Sequence, residues 1–179
     1  MKIPSALYGV LLLTTKAISH PLGEQTNDGN TITLYGYNDS TIRQLFYADG
    51  LAYFGDSSAW TGSVVTDVTF DYSSNPGTLS AKAVTNGVTL PENTLLYIRP
   101  DTTTPLPLGF TGSSTPSGVV TDRWSFYETY AFYEETNGNE LQYFYVKETD
   151  VTGIWQLYWD PVDELSGYTR IILRDYIPE

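Results

Sequence analysis

Beyond residue 30 no stretch of eleven or more residues carries apolar side chains at a helical period, and this constrains the fold more than any other feature. The chain offers instead short runs rich in Tyr, Phe, Val, Ile and Thr, cut by Gly, Asn, Asp and Pro. β-Branched and aromatic side chains suit a pleated, half-buried surface, and the punctuating residues suit tight turns. The clearest hairpin runs along residues 130–135, turns at 136–139 and returns along 141–146. Asn137-Gly138 at its centre tolerates positive φ, the strongest short-range hairpin signal. Residues 154–159 read as a third strand of the same meander. An earlier unit has the same rhythm: 32–37, a turn at Asn38-Asp39, 42–47, then Asp49-Gly50 and 51–55. Between the units lie strand-like runs at 64–70, 79–84 and 94–99. Pro100, Pro105 and Pro107 then interrupt the pattern, and 112–118 reads as an exposed loop. The tail, 168–173, reads as a last strand pairing back towards the N-terminus. No linker divides the chain. The expectation is one all-β domain over residues 20–179, built of antiparallel meanders.

The first nineteen residues read as a targeting segment. Lys2 supplies a short positive region, residues 6–13 an apolar one, and Ala17-Ile18-Ser19 small residues around a cleavage site. The apolar run is too short to span a bilayer, and no other stretch approaches the required length. The expected product is secreted or resident in the secretory pathway. In that setting the sequon Asn38-Asp39-Ser40 marks Asn38 as a glycosylation site.

Composition closes several functions. Twenty-one acidic side chains against nine basic ones give a formal charge of -12, the wrong sign for a nucleic-acid partner. With no cysteine there is no thiolate metal site, disulfide framework or cysteine nucleophile. The one histidine, His20, leaves Ser/His/Asp catalysis closed. Cleavage after Ser19 would expose His20 as an N-terminal ligand, but a copper site of that kind needs a second histidine. Residues 160–164 are acidic, yet lack the glycine and spacing of a calcium loop. No phosphate-cradling glycine loop occurs. No metal and no cofactor is expected.

The two aromatic units resemble a blade of the fungal fucose-specific lectins. The match runs through Leu34-Tyr35-Gly36-Tyr37, Asn38-Asp39, Ile42-Arg43-Gln44, Asp49-Gly50 and Gly55. It returns through Phe132-Tyr133-Glu134-Glu135, Asn137-Gly138, Leu141-Gln142 and Gly153-Ile154-Trp155. The resemblance implies a propeller-like arrangement with sugar sites between blades, each formed by an Arg, a Glu and an aromatic residue. The family's gripping arginine sits in the aromatic strand, where this chain carries Thr33 and Ala131. A middle unit around Leu79 to Phe110 matches loosely, and the resulting three blade-like units are too few to close a propeller, so closure implies a homo-oligomer. A β-sandwich is the alternative architecture.

Two functional classes remain, with a secreted effector or surface protein that has no small ligand as a third. One is a secreted binding module for a glycan or other small ligand, with lectin-like recognition foremost. The other is a cofactor-independent cyclase, isomerase or pericyclase, of the Diels–Alderase kind, that orients an apolar substrate in a β-fold pocket. Trp60, Trp124, Trp155 and Trp159 are either sugar platforms or core, and Arg43 and Arg123 either ligand donors or surface ion pairs. The acids at 128, 134, 135, 140 and 148 offer carboxylates, but a chain this acidic offers pairs everywhere. The nominated ligand site takes its residues from the repeated units. Arg43 supplies a planar donor fork, Trp155 and Tyr143 flat walls, Tyr35 a phenolic donor and Glu128 an acceptor. A deep closed apolar pocket would favour the cyclase, and a shallow wet groove with an indole the lectin.

Overall fold

A computed structural model describes residues 31–38, 41–101, 103–112, 115–161 and 166–175. The leader over residues 1–19, His20, the Asp39 and Ser40 of the sequon and most of the acidic 160–164 segment lie outside these residues.

The first strands are β1 (Thr31–Ile32), β2 (Tyr35–Asn38), β3 (Thr41–Ala48), β4 (Leu51–Phe54), β5 (Val65–Ser73) and β6 (Thr78–Ala83). Short strands follow through the proline-rich middle: β7 (Leu96–Tyr97), β8 (Leu106–Pro107) and β9 (Gly109–Phe110). The last group is β10 (Trp124–Tyr127), β11 (Tyr130–Glu134), β12 (Glu140–Leu141), β13 (Phe144–Glu148), β14 (Trp155–Trp159), β15 (Thr169–Arg170) and β16 (Ile172–Arg174). The one helical element among the described residues is a single 3-10 turn at Ser57–Ala59. The all-β expectation holds.

Strand β5 shows why these sequences form strands. Thr66, Val68, Phe70 and Tyr72 are buried, while the residues between them are half-exposed, a strict period of two. All pairing is antiparallel, and it links the strands into one sheet along the path β10-β11-β16-β2-β3-β4-β14-β13-β15. The first aromatic unit is the meander β2-β3-β4, and the second joins it edge to edge where Phe54 pairs with Trp155. The tail does pair back: Leu173 sits opposite Gly36, and Arg174 also faces Tyr130 on β11.

Of the three turns read from the sequence, the one at Asn38-Asp39 runs outside the described residues, and the other two are present. Asp49 and Gly50 both have positive φ, closing β3 onto β4. At the other tip, Glu135 N–H donates to Asn139 O at 2.8 Å and Gly138 N–H to Glu135 O at 3.0 Å.

Four expectations need correction. Residues 32–37 divide at 33–34 into β1, which pairs with β5, and β2, which pairs with β3. The tail over 168–173 likewise divides into β15, which pairs with β13, and β16, which pairs with β2. Residues 141–146 are not one strand: β12 pairs with β11, the chain breaks at Gln142-Tyr143, and β13 pairs with β14 instead. The break is where the chain crosses from one part of the sheet to the other, and Gln142 Nε2 marks it by donating to Ala131 O at 3.3 Å. Residues 94–99 shrink to the two-residue β7 plus bridges at Leu95 and Ile98, with prolines flanking at 91 and 100.

Strand β3 serves two neighbourhoods. Thr41–Gln44 pair with β2, whereas 45–48 pair with β4, and from Phe46 onward also with β5. Its burial rises along its length, from exposed at Thr41 to fully buried at Leu45 and Phe46. Arg43 therefore stands where an open end of sheet runs into the core.

Candidate functional site

The pocket at that junction has a volume of about 170 Å³. Gly36 and Asn38 of β2 and Thr41 and Arg43 of β3 form one wall. Their pairing, Gly36 with Arg43 and Asn38 with Thr41, puts all four on the same face of the hairpin. Phe54, Val146, Ile171 and Trp155 supply the rest. A Cβ at position 36 would come within 3.1 Å of both Phe54 and Ile171, so a glycine there keeps the wall close to the floor.

The Arg43 guanidinium carbon lies 5.1 Å from the centroid of the Trp155 ring. No carboxylate among the described residues forms an ion pair with Arg43. A guanidinium stacked on an indole keeps its in-plane N–H donors for other acceptors, which an ion pair would consume. The Trp155 Nε1–H is buried and has no hydrogen-bond partner among the described residues. The pocket thus combines an apolar floor with an amide, a hydroxyl and a cation along one wall. No metal-binding group of three His, Asp or Glu residues occurs among the described residues.

Of the five nominated ligand residues, the structure brings Arg43 and Trp155 together. Tyr35 is next to Gly36 and therefore on the opposite face of β2. Tyr143 lies in a different cleft, packed edge-on against Trp159 at 5.6 Å. Glu128 is exposed at the turn between β10 and β11, with φ of 54°. Asn38 enters the pocket wall as well as heading the sequon. Gly36, Thr41 and Phe54 were not singled out from sequence, although a glycine inside a strand is a known mark of close approach. Among the tryptophans, Trp124 and Trp159 are buried core and Trp60 packs on Tyr53 at 4.7 Å.

A wider cleft of about 580 Å³ is lined by Arg123, Asp101, Glu135, Asn139, Tyr133 and Tyr143, with Trp159 at its base. Burial raises the Tyr133 phenol above its ordinary pKa; Arg123 opposes the shift, and Asp101, Glu135 and Asp122 reinforce it. Burial is also the first cause of raised values at Tyr47, Tyr53, Tyr97 and Tyr158. A phenol whose folded value lies above its unfolded value of about 10 stabilises the fold fully below that pH. That stability is lost as pH rises through the folded values. The domain should therefore melt at falling temperatures above about pH 10, as tyrosinate absorbance develops. A melting temperature that stays flat through the tyrosinate transition would refute this.

No family model, no curated protein and no solved structure matches the chain. No helix among the described residues is long and apolar enough to cross a membrane.

Proposed function

We propose that this protein is a secreted, lectin-like glycan-binding protein that holds one sugar ring in the Arg43–Trp155 pocket. The observation that carries the reading is the pairing of an apolar floor with the Asn38–Thr41–Arg43 wall in a space of about 170 Å³. A cavity of about 150 Å³ accepts one benzene ring, so this pocket suits one six-membered ring. A sugar presents an apolar C–H face and a rim of hydroxyl oxygens. Phe54, Val146 and Ile171 suit the first, and the donors of Arg43 with the Thr41 hydroxyl suit the second. The cyclase reading asks for a larger, closed apolar chamber. The wider cleft is instead lined by Arg123, Asp101 and Glu135. Export rests on the leader-like residues 1–19.

The test is a glycan array that includes fucosylated and other neutral glycans, followed by titration with the best monosaccharide. Arg43→Ala removes a charged hydrogen-bond donor worth about 1.5–3 kcal/mol, so affinity should fall at least about tenfold. Its stacking on Trp155 contributes about 0.5–1 kcal/mol, so the melting temperature should drop by no more than about 4 °C. An array with no bound glycan, or wild-type affinity in Arg43→Ala, would overturn the reading.

A further inference from the structure

Three of the four large hydrophobic side chains exposed among the described residues, Ile42, Tyr127 and Ile172, stand on one face of one part of the sheet. The register shows this directly. Tyr127 pairs with Tyr130, Tyr130 with Arg174, Arg174 with Tyr35 and Tyr35 with Gln44. Residues paired opposite one another share a face, so this row crosses five strands. Two residues along, Ile172 pairs with Tyr37 and Tyr37 with Ile42, a second row on the same side. The residues between the rows, Gly36, Arg43 and Leu173, point the other way, towards the pocket and core. None of the side chains in the two rows is buried.

At the centre of this face lies Arg174. Its guanidinium carbon is 4.3 Å from the Tyr130 ring centroid and 5.3 Å from that of Tyr37. Its Nε and Nη2 donate to Thr129 Oγ1 at 3.2 and 3.0 Å, which holds the group beside the rings. The surface therefore presents tyrosine rings and aliphatic side chains around one fixed cation.

We propose that this outward face is a second binding surface, a platform on which an extended, uncharged polysaccharide lies. Charge selects that occupant. The two rows carry one guanidinium and no carboxylate, so a basic partner meets a fixed cation at the centre and finds carboxylates, Glu134 and Glu140, only at the β11–β12 end of the face. An anionic partner meets a chain with a formal charge of -12. A second copy docking by the same face sets Arg174 against Arg174 between two strongly acidic molecules. A neutral polyhydroxyl chain meets neither cost. Its C–H faces cover the rings, and its hydroxyls reach the phenols and the guanidinium at the edges. Tyr130 and Tyr35 are two strand spacings apart, about 9–10 Å, which is the length of a disaccharide unit. The platform does not rest on the pocket reading, because the two lie on opposite faces of the same strands.

Co-sedimentation with insoluble β-1,3-glucan, chitin and cellulose tests it. The wild-type chain should sediment with at least one of the three. Tyr37→Ala combined with Tyr130→Ala should weaken that binding at least about tenfold, as loss of two stacking rings requires. Ile42→Glu keeps both rings, sets a charge on the plane and should also weaken binding severalfold. Val84→Ala, an exposed apolar change away from the face, should bind as wild type. Thermal melting establishes that each variant is folded. Failure to sediment with all three polymers, or wild-type sedimentation by folded Tyr37→Ala/Tyr130→Ala and Ile42→Glu, overturns the proposal. So does a dimer in analytical ultracentrifugation that the same variants dissolve, since the face then belongs to a second copy. The pocket is read separately, with soluble monosaccharides and Arg43→Ala, so either reading can fail alone.

Discussion

Trp159→Ala should lower the melting temperature by about 10 °C or more and cost about 3–5 kcal/mol, the range for a fully buried tryptophan. Trp159 is 1% exposed. Its ring meets Phe144 at 5.3 Å, Tyr133 at 5.4 Å and Tyr143 at 5.6 Å, all edge-on. Those partners come from β11, from β13 and from the break before β13, so the indole fastens the regions between which the chain crosses. Truncation leaves a cavity at the point where the three rings meet the indole. A domain of this size has a total stability of only about 5–15 kcal/mol, so the loss is a large fraction of the whole. Urea denaturation should show a lower midpoint with an unchanged slope. A midpoint close to wild type would mean that Trp159 is not the centre of this cluster.

The contrast between Trp159 and Trp155 shows where sequence reading reaches its limit. Both lie in the strand β14, WQLYW, and alternation places them on the same side of it. One is core and the other lines a pocket, because the sheet covers that side fully at one end of β14 and partly at the other. Strand periodicity reports which residues share a face, but not how far along a strand the cover extends. Local signals did carry the turns at Asp49-Gly50 and Asn137-Gly138, since Asp49, Gly50 and Gly138 adopt a positive φ that few other residues tolerate. They carried the alternation of β5 and the return of the tail as well. They did not carry the pairing of β4 with β14, which brings Arg43 to Trp155 across more than half of the chain. Nor did they carry parity. Tyr35 and Gly36 are neighbours in a good strand, and only the register decides which of them faces the pocket. Tyr143 fell where a strand that looked continuous changes partners, so its neighbours could not be read at all.

Gly55→Ala should destabilise by about 3 kcal/mol, and the damage should reach the pocket. Gly55 follows β4 directly and has a φ of +131°, a region that side chains other than glycine's rarely enter. A Cβ there would also lie 2.5 Å from the carbonyl oxygen of Gly153 and 2.8 Å from Ile154 Cδ1. The first of these is backbone, so relief requires moving the end of β4 away from the start of β14. That is the point at which Phe54 pairs with Trp155, and both line the pocket. Gly138→Ala provides the comparison: its φ is +84°, but nothing lies within 4 Å of an added Cβ. It should cost only the backbone term, about 1 kcal/mol, and leave ligand binding unchanged. The excess at position 55 then measures the close approach of two chain segments. Intrinsic fluorescence should separate the variants too, since the Trp155 indole moves in one and not in the other. Equal losses of stability at the two positions would show that the contact with Gly153 yields without cost, and that the β4–β14 junction does not hold the pocket's shape.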